Sequence, residues 1–138
     1  EGGSARAWSI PLAQAEEGPN VKHDISLPVS AVPSFCAETD VLLKAACMGV
    51  RIINFGHLGD GNLHYNVQGA VDEERISSIV YDQVAKFGGS ISAEHGIGEL
   101  KADKLPKYKS LVAQRLMRSI KHALDPQGIL NPGKVLRD

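Results

Sequence analysis

The chain has 138 residues, about one domain by the usual span of ~100 to 200 residues per domain. Hydrophobic residues make up 43% and charged residues 22%, which argues against wholesale disorder and against a fibrous repeat. Fifteen Lys and Arg against sixteen Asp and Glu leave a formal net charge of -1 with no basic block, so no nucleic-acid partner is expected.

Residues 1–20 read as a partly ordered N-terminal segment, with breakers at Gly2-Gly3 and Gly18-Pro19-Asn20 around a helix-forming stretch from Ala5 to Glu17. Glu1-Gly2-Gly3-Ser4 is not the basic start of a signal peptide, and no apolar run approaches the ~20 residues that span a bilayer. A soluble, cytoplasmic protein without a transmembrane segment is the expectation. Val21 to Val29 alternates, with Val21, His23, Ile25 and Leu27 on one face and Lys22, Asp24 and Ser26 on the other, and reads as a strand ended by Pro28. Ser34 then caps a helix through Met48 with an apolar stripe of Val41, Leu42, Ala45 and Ala46, closed by Gly49. Cys36 and Cys47 on that helix would lie about 16 Å apart, too far for a disulfide, and read as two free thiols in a reducing compartment.

Val50 to Phe55 is β-branched and apolar, a second strand, and Leu63 to Gln68 alternates as a third, giving a hairpin across residues 56–62. Asp72 opens a helix with Ile76, Ile79, Val80, Val84 and Phe87 at helical spacing, ended by Gly88-Gly89. Ser90 to Ala93 reads as a fourth strand, and Lys107 to Leu124 as a final helix with Leu111, Leu116, Ile120 and Leu124 inward. The tail from Asp125 is rich in Pro and Gly. This order predicts an α+β, ferredoxin-like unit: an antiparallel sheet with helices on one face, followed by a C-terminal helix and an irregular tail.

The chemistry concentrates in two glycine-flanked segments, Gly56-His57-Leu58-Gly59-Asp60-Gly61-Asn62-Leu63-His64 and Ser92-Ala93-Glu94-His95-Gly96-Ile97-Gly98. If Gly59-Asp60-Gly61 turns the chain, His57 and His64 face each other on paired strands, close enough for both imidazoles to bind one metal. Glu94 is the best third ligand, and two imidazoles with one carboxylate leave positions open for water or substrate. Asp60, inside the turn, reads as bonded to its own backbone. From spacing alone the alternative also stands, that these are hydrogen-bonded histidines beside a turn. His23 and His122 read as structural, and Lys22 beside Asp24 as a solvated pair. The glycines make no dinucleotide fingerprint, since His64 stands at the third glycine position and a strand follows.

Four segments in order carry a resemblance: Lys22-His23-Asp24-Ile25-Ser26-Leu27-Pro28, the two glycine-flanked segments, and Leu124-Asp125-Pro126-Gln127-Gly128-Ile129-Leu130-Asn131-Pro132-Gly133-Lys134. Together they resemble the C-terminal half of FAD-linked oxidases of the D-lactate dehydrogenase, D-2-hydroxyglutarate dehydrogenase and glycolate oxidase FAD-subunit type. The resemblance implies oxidation of a D-2-hydroxy acid to the 2-oxo acid, with FAD bound mainly by a preceding domain outside these 138 residues. It implies that residues 21–124 are part of a cap domain carrying substrate and metal, and that residues 125–138 are a tail toward the FAD-binding domain. The chain is then a fragment of a longer enzyme, inactive alone, with a surface able to self-associate as a homo-oligomer.

The resemblance makes His57, His64 and Glu94 ligands of a divalent zinc or manganese ion, His95 the catalytic base, Lys22 and Asn66 substrate contacts, and Asn131 a cofactor contact. In such proteins an Arg-Glu pair precedes the Lys22 strand; here Ala7-Trp8 falls there, with Arg6 one residue away, which leaves the substrate open. Glu94 and His95 are adjacent and would point to opposite faces of a regular strand, so Glu94 to Gly98 is expected to be irregular, with both side chains converging on the two histidines. Two other readings are a metal-dependent hydrolase using the same ligands and a non-catalytic ferredoxin-like oligomerisation domain.

Overall fold

The computed structural model describes residues 20–57, 59–69 and 72–137. The sequence readings over residues 1–19, including the Ala5 to Glu17 helix and the comparison at Arg6 and Ala7-Trp8, lie outside the described residues. Alternation makes the first strand, β1 (Asn20–Ser26), whose Val21, His23 and Ile25 are buried while Lys22 is exposed. The strand ends at Ser26; one further ladder bond follows in register, from the Leu27 N–H to Gly61 O at 3.0 Å, before Pro28, which has no N–H to give. Pro28 instead opens a 3-10 turn, Val29–Ala31.

That turn runs straight into α1 (Val32–Ala46), so Ser34 lies inside the helix and no side chain caps it. Pro33 is tolerated in the first turn because N–H groups there have no intrahelical acceptor. The buried stripe is Phe35, Thr39 and Leu43, four residues apart, not the expected Val41 and Leu42, which are exposed. Cys36 in α1 and Cys47 just after it are both free thiols.

The hairpin joins β2 (Arg51–His57) to β3 (Asn62–Gln68), and β3 is the central strand, antiparallel to both neighbours in the order β1-β3-β2. Gly61 has φ +73, and a Cβ on it would lie 2.0 Å from Leu27 O, so the close return of this turn onto the end of β1 requires glycine. Helix α2 (Glu73–Lys86) is capped as its sequence predicts: Asp72 Oδ1 accepts the Arg75 N–H at 2.9 Å, and Glu73 and Glu74 occupy the positive end. It ends in a Schellman motif, with Gly88 N–H on Ala85 O at 3.1 Å and Gly89 N–H on Val84 O at 2.8 Å.

The expected fourth strand is reduced to one bridge, Ser90 with Ser26 on the outer edge of β1. It stops there because the next backbone donors are given to a side chain rather than to the ladder, as described below. The positions β1-β3-β2, with Ser90 beyond β1, still follow the order of the ferredoxin-like unit.

Helices α1 and α2 cover the same side of the sheet. Ile25, Tyr65 and Val67 meet Phe35 and Leu43 of α1 and Ile76, Val80 and Val84 of α2 in one core. His23 belongs to it: Nδ1 donates to Tyr65 O at 2.8 Å, which leaves Nε2 to accept from Ser77 Oγ at 3.1 Å, and Tyr81 packs edge-on at 5.3 Å. Burial lowers its pKa to about 4, against the smaller opposing effect of the Tyr65 carbonyl.

The single helix expected from Lys107 to Leu124 is two: α3 (Leu105–Tyr108) and α4 (Leu111–Leu124). Lys109 and Ser110 are extended between them, and Ser110 Oγ caps α4 by accepting the Ala113 N–H at 3.2 Å. Leu111, Leu116, Ile120 and Leu124 are exposed, contrary to expectation; the buried residue of α4 is Gln114, which donates to Pro106 O and Lys109 O across the break. The tail is organised by Asp125, which accepts the N–H groups of Ile129 and Leu130 at 3.0 Å. It then returns to residues 98–103: Val135 N–H donates to Gly98 O at 2.7 Å, Lys134 pairs with Glu99, and Arg137 Nε meets Asp103 Oδ1 at 2.9 Å.

Candidate functional site

The face of the sheet away from α1 and α2 is polar, and its side chains fall in rungs set by the strand register. Lys22, Asn66 and Ile53 form one rung, Asp24, His64 and Phe55 the next, and Ser26, Asn62 and His57 the third. His57 and His64 therefore share a face as diagonal neighbours on adjacent rungs, not as the directly opposed pair the spacing suggested, because β3 resumes pairing at Asn62, opposite His57. Asp60 sits in that turn as expected, its Oδ1 accepting the Asn62 N–H at 3.0 Å.

Glu94 reaches this face from the irregular segment after Ser90. Its carboxylate lies 4.0 Å from His57 Nδ1 and 3.9 Å from His64 Nε2, and it accepts a hydrogen bond from Asn62 Nδ2. His95, the next residue, reaches the same face: its ring centroid is 6.0 Å from that of His64 and its Nδ1 is 3.9 Å from Asp24 Oδ2. Phe55 stacks on His64 at 4.9 Å and fixes that ring. A cleft of about 560 Å³ opens beside these groups, lined by Lys22, Asp24, His64, Asn66, His95 and Lys101 among others. Lys22 is exposed at its edge and Asn66 is buried on its floor. Asn131, at φ 49 in the tail, instead lines a separate depression with Arg118, His122 and Lys134.

Two donors each about 2.1 Å from one tetrahedral ion lie about 3.4 Å apart; Glu94 approaches that spacing to each histidine through a different carboxylate oxygen, and among the described residues the group whose donor atoms all gather together is Asp24, His64 and Glu94, with His57 joined to it only through Glu94. Those gathered donor atoms lie within 4.8 Å of one another. Asp24 Oδ1 and Asn62 Oδ1 are buried acceptors without a hydrogen-bond partner on this face. Two imidazoles and a carboxylate beside orphaned acceptor oxygens are a donor set that fits a divalent cation.

Asp24 and Lys101 are the residues that sequence reasoning missed. Asp24 is not a solvated partner of Lys22: it is 4% exposed, and its Oδ2 accepts the N–H groups of Ala93, Glu94 and His95 at 3.1, 3.0 and 2.9 Å. Burial by itself raises this carboxyl, but those three donors and the nearby His95 outweigh it and hold its pKa below the ordinary carboxylate value. A carboxylate in mid-strand, where Asp is disfavoured, was the available signal. Lys101 Nζ donates to Ile91 O at 2.7 Å and to the Asp24 carbonyl at 3.4 Å, and burial lowers its pKa while Asp24 opposes that.

Comparison with known proteins places this arrangement in context. A D-2-hydroxyglutarate dehydrogenase of Xanthomonas citri pv. viticola is 43% identical over 123 residues, covering 83% of this chain and 26% of that protein. Mitochondrial proteins of the same name from Arabidopsis thaliana and Danio rerio are each 41% identical, over 131 and 139 residues, covering 92% and 95% of this chain. They are covered to 23% and 26% of their own lengths, so the chain spans about a quarter of these relatives. The family model for the C-terminal domain of FAD linked oxidases matches residues 3–135. With nearly its whole length matched, the chain belongs to the FAD linked oxidases, as a C-terminal domain of that family.

Proposed function

We propose that this chain supplies the substrate- and metal-binding face of an FAD-dependent dehydrogenase that oxidises a D-2-hydroxy acid to the 2-oxo acid. The names of the relatives favour D-2-hydroxyglutarate as that acid. The observation that carries the reading is the placement of Glu94 within 4.0 Å of both His57 and His64, with His95 on the same face.

In this reading His57, His64 and Glu94 hold a divalent zinc or manganese ion. Bound there, such an ion supplies Lewis-acid chemistry, lowering the pKa of a coordinated hydroxyl. Lys22, at the edge of the cleft, attracts the substrate carboxylate, and Asn66, opposite it in register, offers an amide to the same end of the substrate. His95 presents Nδ1 toward Asp24, which leaves Nε2 to take the hydroxyl proton. Hydride acceptance from the α-carbon is the chemistry FAD would supply when bound beside this face. Asn131, an exposed amide beside Arg118 and Lys134, is chemically suited to an anionic, hydrogen-bonding cofactor and is this chain's contact to it. The uncovered apolar residues of α4 support packing against a further protein surface, the flavin-binding part of the enzyme being the first choice and a second copy the next.

Elemental analysis of the purified protein beside a His57→Ala, His64→Ala double variant tests this. One divalent metal per chain, lost in the variant together with oxidation of D-2-hydroxy acids, is expected. Equal turnover in both proteins would sink the metal assignment, and hydrolysis without flavin would favour a hydrolase.

A further inference from the structure

Glu94 and His95 lie on a segment that is neither helix nor strand, and their side chains are 49% and 70% exposed, so core packing does not fix them. What fixes them is one buried oxygen. Asp24 Oδ2 accepts three successive backbone N–H groups, at 2.9 to 3.1 Å. Hydrogen bonds to an ionised acceptor are roughly twice as strong as neutral ones. A backbone wrapped around an anion turns its N–H groups inward, and the side chains are left to project around it. Here that curvature carries Glu94 to the histidines of β2 and β3 and leaves His95 beside His64. The same residue anchors the segment again, because Lys101 bonds both the Asp24 carbonyl and Ile91 O, while Ser92 Oγ donates to Gly96 O at 2.7 Å within the loop.

We propose that Asp24 is the positioning residue of this site: through the amides of residues 93–95 it sets Glu94 for the metal and His95 for the substrate. This rests on the metal reading above and adds a residue that does its work through two others. Loss of a group that orients a ligand costs about 10- to 100-fold in metal affinity or activity.

The experiment measures Zn²⁺ affinity by chelator competition, and amide hydrogen exchange over residues 92–96, in the full protein. The variants are Asp24→Ala, Asp24→Asn and the His57→Ala, His64→Ala pair. Asp24→Ala is expected to lower Zn²⁺ affinity about 10- to 100-fold and to speed exchange of the three amides while the core strands stay protected. Asp24→Asn keeps a carbonyl oxygen where Oδ2 stands and is expected to restore most of the loss, which also controls for a failure of the alanine variant to fold. If Asp24→Asn folds but binds Zn²⁺ as poorly as the alanine variant, the carboxylate acts directly on the ion and the positioning role is overturned. Unchanged affinity or unchanged exchange in Asp24→Ala overturns it while the histidine pair still reports a metal site. A wild-type protein that binds no Zn²⁺ removes the metal reading and this inference together.

Discussion

His23 and Asp24 are neighbours in sequence, both almost fully buried, and lie on opposite faces of one strand; both are held deprotonated, which leaves one neutral and the other charged. On the helix-covered face His23 meets a carbonyl, a hydroxyl and an aromatic edge, and burial keeps it neutral. On the open face Asp24 meets three N–H donors, which hold its carboxylate charged against the opposing effect of burial. The difference teaches that depth of burial does not decide the charge of a group; the donors and acceptors facing it do. It also distinguishes the two faces of the sheet, a packed core on one and the polar candidate site on the other.

That division can be broken most forcefully from the covered side. Phe35, fully buried, packs edge-on against Tyr65 at 5.4 Å and Phe87 at 6.1 Å, so Phe35→Ala is expected to destabilise the fold by about 3 to 5 kcal/mol in urea unfolding. A loss under about 1 kcal/mol would show that the covered face does not carry the stability.

Acid is the next lever. The His23 pKa is about 4 folded and near 6.5 unfolded, so between those values the unfolded chain binds the extra proton. The contribution of neutral His23 is thus fully present above pH 6.5 and is lost as pH falls toward 4, about 2 kcal/mol of it by pH 5. Denaturation at pH 7 and pH 5 measures this, and His23→Asn, whose amide cannot titrate, is expected to flatten the dependence.

The smallest effects sharpen the contrast. The His57 side chain is 72% exposed and Leu116 is 60% exposed, so His57→Ala and Leu116→Ser are each expected to leave stability within about 0.5 kcal/mol. For His57→Ala the same protein is expected to lose metal, separating function from fold in one substitution.

Much of this architecture is legible locally. The alternation of β1, the Asp72 cap of α2 and the Gly88-Gly89 end each depend on residues within a few positions, and the sequence pattern contains them. The site histidines, Glu94 and His95 were legible because glycines flank them and because the family motifs are strong. What escaped depends on distant partners. Asp24 meets donors 69 to 71 residues away, and those bonds also replace most of the fourth strand. The stripe of α4 says that the helix has an apolar side but not what lies against it, and Ser110 was hidden inside a continuous helical pattern although it caps α4.

The return of the tail to residues 98–103 bears on how the candidate site is held in place. The segment that carries Glu94 and His95 is tied to β1 far upstream and, through Gly98, Glu99 and Asp103, to the last residues of the chain. Exposed, weakly packed segments open first under native conditions. This segment is held from two directions at once, and loosening either tie, to Asp24 or to residues 134–137, is expected to speed its amide exchange.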